Sequence, residues 1–326
     1  MIPDRKRRAA IILAGGEGKR LAELTRRSDG VHVPKQFCSL VGEKSLLEET
    51  RRRVSRSVTP DLTSIVLNKS HECFYAPLLA EVAPQNLVVQ PENRGTAPAI
   101  LYALFRLAES APGTAVLLVP SDQHVEDEAA LMNDVDLAFA AVEEHSQLTV
   151  LLGIKPDAPE TGYGWIEPAP TGGAGRWKTL PVRRFWEKPS RQDADGLMAK
   201  GSLWNSFIIV SQLPTLLGLF VLAMPKLYDS FEKIRPTLGT RFEEETVSRF
   251  YQDLRPSDFS RQVLELVAGC LSVLPVSEVG WSDLGEPHRV AKVLANPGAQ
   301  ENKRRPEKHP QTLGAMAIAL ALSLFR

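Results

Sequence analysis

Three glycines follow a short apolar run in LAGGEGKRL, residues 13–21, and two cations close the segment, Lys19 and Arg20. A glycine turn after a strand lets backbone N–H groups approach phosphate oxygens that a side chain would hold away. Arg20 in this turn and Lys35 in the later VPKQF add fixed positive charge, which suits a triphosphate. A plain strand-to-helix turn with solvated cations is the alternative at this level.

Other phosphate and nucleophile patterns fit less well. A dinucleotide fingerprint needs a third glycine where Leu21 stands, and an acid roughly 20 residues further on, where Lys35 stands. VGEKS, residues 41–45, lacks the Gly-Lys-Ser junction and the upstream glycine of a P-loop. GWSDLG has the wrong spacing for a nucleophile elbow. The histidines show no metal-ligand spacing.

The elements that must position this loop are legible from periodicity. Apolar strand-like runs at Ala9–Ala14, Thr63–Asn68, Asn86–Gln90, Ala115–Pro120 and Leu148–Ile154 alternate with helical patterns. Those patterns are Lys44–Val58, a helix after His71, Ala97–Ser110 and Ala129–Glu144. Such alternation predicts an α/β, Rossmann-like fold, with a mostly parallel mixed sheet covered by helices on both faces. Ligands then sit at the carboxyl ends of the strands.

From Thr161 the pattern changes. GYGWIEP, PVRRFWEKP and LWNSFIIV are short and rich in aromatics, and they predict a substrate-facing β-rich insertion on the same sheet. Helical patterns return at Leu213–Ala223 and Ser257–Ala268, followed by a strand at Leu271–Val276. Residues 1–295 read as one catalytic domain, and residues 296–326 as a polar linker with a short apolar tail.

Composition excludes several classes. Of 326 residues, Lys+Arg and Asp+Glu each number 39, so there is no cationic footprint for general nucleic-acid binding. Three cysteines, far apart, point to reduced thiols and a cytoplasmic location rather than a disulfide frame. MIPDRKRR followed by AAIILA imitates a secretory leader, but the apolar part is short and runs into the glycines, so it reads as a first strand. The apolar Gly314–Phe325 is shorter than the ~20 residues of a membrane span and reads as a terminal helix docked on this chain or a partner.

Read together, the loops carry a resemblance. LAGGEGKRL with VPKQF, QPENRGTAPAI (90–100), VPSDQHV (119–125), TGYGWIE (161–167), FWEKP (185–189), LWNSFI (203–208) and GWSDLG (280–285) resemble, in order, the motifs of the sugar-nucleotide pyrophosphorylases. Within that family the set is most similar to the mannose-1-phosphate guanylyltransferases, over roughly residues 9–290.

The resemblance implies Mg²⁺-dependent transfer of a nucleotidyl group from GTP to mannose 1-phosphate, giving GDP-mannose and pyrophosphate by in-line attack on the α-phosphorus. It implies that Ala14, Gly15, Gly16, Gly18, Gly95 and Thr96 surround the nucleotide and that Arg20 binds the β,γ-phosphates. Lys35 would sit by the α-phosphate, and Lys188 would grip the sugar phosphate. Glu187, Asn205 and the Gly164 backbone would hold the sugar, and Asp122 and Asp283 would ligate the metal. A homodimer is compatible with this organisation.

The chain departs from the family's pattern in places. Lys19 stands where Thr or Ser is usual, Gly95 where many relatives have Asn, and Gln123 separates Asp122 from His124. Phe207 stands where Gly is usual, which bears on the shape of the sugar pocket.

Overall fold

The computed structural model describes residues 8–170 and 176–295. The expected linker and apolar tail lie outside the described residues. The framework is one sheet of β1 (Arg8–Leu13), β2 (Thr63–Asn68), β3 (Leu87–Gln90), β4 (Ala115–Pro120), β5 (Thr149–Ile154), β6 (Gly164–Pro168), β7 (Leu180–Glu187), β8 (Leu203–Gln212) and β9 (Leu271–Pro275). Their spatial order is β3-β2-β1-β4-β8-β5-β9-β7-β6.

β1 runs parallel to β2 and β4, β2 to β3, and β5 to β9. β8 is antiparallel to both of its main neighbours, β4 and β5, and β7 is antiparallel to β6 and β9. Strands such as RAAIIL and AVLLVP are buried along nearly their whole length because helices cover both faces.

On one face pack α1 (Leu46–Val54), α2 (Glu72–Leu78) and α4 (Glu128–Glu144). On the other lies α3 (Thr96–Ser110). A third, aromatic cluster of Tyr163, Trp165 and Trp204 is closed by Ala194 and Leu197 of α5 (Arg191–Ala199). The α3 face is completed by α6 (Leu213–Ala223), α7 (Pro225–Ile234) and α8 (Glu243–Asp253). The last described helix, α9 (Pro287–Leu294), returns to the α1–α4 face.

The expected β-rich pieces are β6, β7 and β8, and all join the same sheet. β8, however, lies at its centre. Ile208–Val210 are buried in the core between β4 and β5, whereas Trp204 at the other end pairs with Trp165 of β6. A register shift in the β5–β8 pairing separates the two halves, as a bulge does when a strand must turn.

Ser257–Ala268 corrects an expectation. It is not a regular helix but one wide π turn at Ser260–Leu264 and a short turn at Ala268–Cys270. Non-local bonds claim its start: Ser257 N–H donates to Arg94 O at 3.0 Å, and Phe259 N–H to Thr96 Oγ1 at 2.8 Å. Among the described residues no helix is long and apolar enough to cross a membrane. All three cysteines are free; Cys38 is buried, and Cys73 and Cys270 are exposed.

Candidate active site

The glycine loop sits at the carboxyl end of β1, as an α/β sheet demands of a ligand loop. Gly18 has φ 65°, and a Cβ there would lie 3.0 Å from Lys35 N. Only glycine allows both that conformation and that approach, so Gly18 is what lets the Pro34–Lys35 segment close over the loop. Gly15 faces the buried Gln90 amide, 3.1 Å from where a Cβ would stand, whereas nothing lies within 4 Å of the corresponding point on Gly16. Gln36, buried, braces the turn from beneath: its Nε2 donates to Ala14 O at 3.0 Å and to Gly16 O at 2.7 Å.

Gly95 and Thr96 open α3 beside this loop. Gly95 has φ 87°, and a Cβ would meet Ser257 O at 2.2 Å, so the glycine is required by close packing. The Thr96 hydroxyl is engaged with Phe259 N–H; it ties the loop to the π turn.

Lys35 is 8% exposed, and its ammonium is surrounded by oxygen. It lies 3.2 Å from Asp122 Oδ2 and donates to Asp283 O at 2.7 Å and Leu284 O at 3.4 Å. The loop after β4 and the GWSDLG loop are zipped by a two-bond bridge between His124 and Ser282, at 2.9 and 3.0 Å. Gln123 adds a second tie, accepting from Trp281 Nε1 at 2.9 Å and donating to Ser206 O at 2.6 Å. Asp122 and Asp283, distant in the chain, are thereby brought to one edge of the sheet.

Arg20 reaches the same place. Its Nη1 is 2.9 Å from Glu286 Oε1. A Cβ on Gly285 would lie 2.3 Å from Asp283 Oδ2 and 3.2 Å from Arg20 Nη2, so both groups crowd one point. Burial raises the Asp283 carboxyl, but the Arg289 charge, the Gly285 N–H and Lys35 outweigh it and hold the carboxyl below its ordinary value.

The residues expected on the sugar side converge separately. A Cβ on Gly164 would be 3.1 Å from Glu187 Oε2 and 3.3 Å from Asn205 Cβ. Glu187 and Lys188 form an ion pair at 3.2 Å, with Glu187 largely buried and Lys188 half exposed. Burial raises the Glu187 carboxyl, and Lys188 opposes this only in part. Lys188 has φ 52° and donates its N–H to Tyr163 O at 3.1 Å. Phe207 also has a left-handed φ, 61°; its N–H is held by Asn205 Oδ1 at 3.0 Å, and its ring packs edge-on against Phe259.

Residue types alone did not single out Gln36, Tyr163 or Arg289. The signal for Gln36 was its place in VPKQF, and for Tyr163 its place in TGYG. Arg289 had none, because it acts from α9 on groups that only the fold brings to it.

The model of the nucleotidyl transferase family matches residues 9–296. The xanthan biosynthesis protein XanB of Xanthomonas campestris pv. campestris (strain B100) is 36% identical over 284 residues, covering 84% of this chain and 57% of XanB. Mannose-1-phosphate guanylyltransferase 2 of Escherichia coli O157:H7 is 30% identical over 285 residues, covering 85% of this chain and 58% of that protein. A crystal structure from Thermus thermophilus, described as a mannose-1-phosphate geranyltransferase, superposes with a TM-score of 0.75 at 27% identity over 89% of this chain and 80% of that one. The chain belongs to the nucleotidyl transferase family, among its sugar-nucleotide pyrophosphorylases. It spans 57% and 58% of the length of the two curated relatives named here.

Proposed function

We propose that this chain transfers a guanylyl group from GTP to mannose 1-phosphate, giving GDP-mannose and pyrophosphate. The reading is carried by the meeting of the glycine loop, Lys35, Asp122 and the Asp283 loop at the carboxyl ends of β1 and β4, beside a separate Gly164–Glu187–Asn205 pocket. That arrangement suits two polyanions held side by side. The choice of guanosine rests on the name of the E. coli protein, and that of mannose on the names of the E. coli and Thermus proteins.

A phosphate oxygen of mannose 1-phosphate attacks the α-phosphorus of GTP. The new P–O bond forms as the bond from the α-phosphorus to the α,β-bridging oxygen breaks, and pyrophosphate leaves with that electron pair. Lys188 holds the attacking phosphate, and Glu187, Asn205 and the Gly164 backbone orient the sugar. The backbone of Ala14–Gly18, with Gly95 and Thr96, shapes the nucleotide site. Lys35 offsets charge at the α-phosphate, and Arg20 stabilises the leaving group.

Asp122 and Asp283 offer oxygen donors, which suit Mg²⁺. Among the described residues no group of three or more His, Cys, Asp or Glu side chains would hold a metal. Two carboxylates completed by nucleotide phosphates fit the habit of that ion. When bound, Mg²⁺ supplies neutralising charge at the phosphates.

The test is a pyrophosphate-release panel of nucleoside triphosphates against sugar 1-phosphates. GTP with mannose 1-phosphate is expected to give the highest kcat/KM. A clear preference for dTTP or UTP with glucose 1-phosphate would refute the guanylyl assignment. Binding of GDP-mannose without pyrophosphate release from any pair would make the protein a sensor. Asp122→Asn and Asp283→Asn should each abolish most turnover, with the double variant scarcely worse than either.

A further inference from the structure

Among the described residues, Asp283 is gripped on one oxygen only. Its Oδ1 accepts from Tyr163 Oη at 2.8 Å, Arg289 Nη1 at 2.8 Å and Gly285 N–H at 2.9 Å. The other oxygen, Oδ2, is the one that crowds Gly285 beside Arg20. Saturating one oxygen with three donors fixes the rotamer and presents the second.

The gripping residues are themselves locked. Arg289 is 7% exposed, its Nη2 is 2.7 Å from Glu160 Oε2, and its guanidinium carbon lies 4.2 Å from the Tyr163 ring centroid. The Tyr163 ring packs edge-on against Trp204 and Trp281, with centroids 4.9 and 5.5 Å away. Tyr163 also faces the sugar side, because its carbonyl accepts from Lys188 N–H and its chain neighbour is Gly164. One residue therefore touches Asp283 with its side chain and the Lys188 main chain with its carbonyl.

We propose that Tyr163 and Arg289 form a positioning clamp that fixes Asp283 with Oδ2 turned toward the phosphates and ties its placement to the sugar-phosphate grip at Lys188. The inference rests on the reading of Asp283 as a metal ligand. A purely structural ion pair pinning α9 to the sheet would need Arg289 and Glu160 but no hydroxyl on Tyr163.

Tyr163→Phe is the discriminating variant, since it removes one oxygen and leaves the ring packing intact. The readouts are Mn²⁺ affinity in the presence of GTP by electron paramagnetic resonance, kcat and KM for each substrate, and the thermal unfolding midpoint. Tyr163→Phe is expected to weaken Mn²⁺ binding and lower kcat by about tenfold each, as loss of a partner behind a metal ligand does. The unfolding midpoint and the affinity for GTP without metal should barely move. Arg289→Met should lose more, and Arg289→Lys should recover part.

Unchanged Mn²⁺ affinity and kcat in folded Tyr163→Phe and Arg289→Lys would overturn the clamp. So would a lowered unfolding midpoint with Mn²⁺ affinity intact. The metal readout needs no turnover, so a negative pyrophosphate panel would sink the proposed reaction and leave the clamp testable. A wild-type protein that binds no Mn²⁺ with GTP would remove the role of Asp283, and the clamp with it.

Discussion

The Lys35 ammonium lies 3.2 Å from Asp122 Oδ2 and also donates to the Asp283 carbonyl, so one cation ties together the two loops that carry the proposed metal ligands. Lys35→Met keeps most of the apolar stem and removes the charge. The expected loss is about 10²–10³-fold in kcat, the scale for removing one aligned charge-stabilising donor. Steady-state kinetics giving a kcat close to wild type would show that the ammonium is not used in the transition state.

Arg20 is held by Glu286 in a pair whose side chains are 56% and 35% exposed. In the proposed reaction a triphosphate must compete with that carboxylate. An exposed pair is worth ~0.2–1 kcal/mol, so Glu286→Gln should lower the KM for GTP by about 1.5- to 5-fold with little change in kcat. Arg20→Ala should act on kcat instead, because the contact proposed for it strengthens as the leaving group develops charge. A raised KM for GTP in Glu286→Gln would mean that the carboxylate orients Arg20 productively.

Burial lifts the Glu187 carboxyl above its ordinary value of 4.5. It should therefore take up a proton at a higher pH than an exposed glutamate, and the KM for mannose 1-phosphate should rise as the pH falls toward that value. Glu187→Gln should flatten this part of the profile. The linkage sign is the opposite for stability: a raised folded-state value favours folding below pH 4.5, and that contribution is lost as the pH rises through the folded value. Glu187→Gln should thus be no less stable than wild type at neutral pH. Acid limbs that coincide in the two proteins would remove Glu187 from the sugar site.

At Phe207 the left-handed backbone, φ 61°, reverses the usual order of glycine and alanine. Both substitutions lose the ring contact with Phe259. Alanine keeps the backbone strain and glycine releases it, so Phe207→Gly should be more stable than Phe207→Ala by about 1–2 kcal/mol. Urea unfolding of the two variants measures the difference, and equal or reversed midpoints would contradict the strain.

Burial pushes the Cys38 thiol up to about 12, while Cys73 and Cys270 are exposed. Titration of the native protein with a thiol-reactive disulfide should consume two equivalents quickly and the third only in denaturant. Rapid reaction of all three would show that the Cys38 environment opens readily.

Local features followed from residue order alone. Runs such as AVLLVP and TSIVLN are strands because apolar and β-branched residues dominate them, and their bounds match β4 and β2 residue for residue. The glycine loop was legible because positive φ and close approach restrict the residue type at the position itself, as at Gly18. Features that depend on distant partners were settled only in the folded molecule. β8 sits at the sheet centre because its apolar half is drawn between β4 and β5, a choice no window of LWNSFIIV contains. Ser257–Ala268 is not a regular helix, and its first backbone N–H groups bond Arg94 and Thr96, partners that no window of that segment contains. The grip of Tyr163 and Arg289 on Asp283 was likewise out of reach, since it joins residues 120 and 6 positions away from that acid on separate elements. Propensity and spacing act within a few residues, whereas burial and directional hydrogen bonds select partners by position in space, and only the folded sheet supplies those positions.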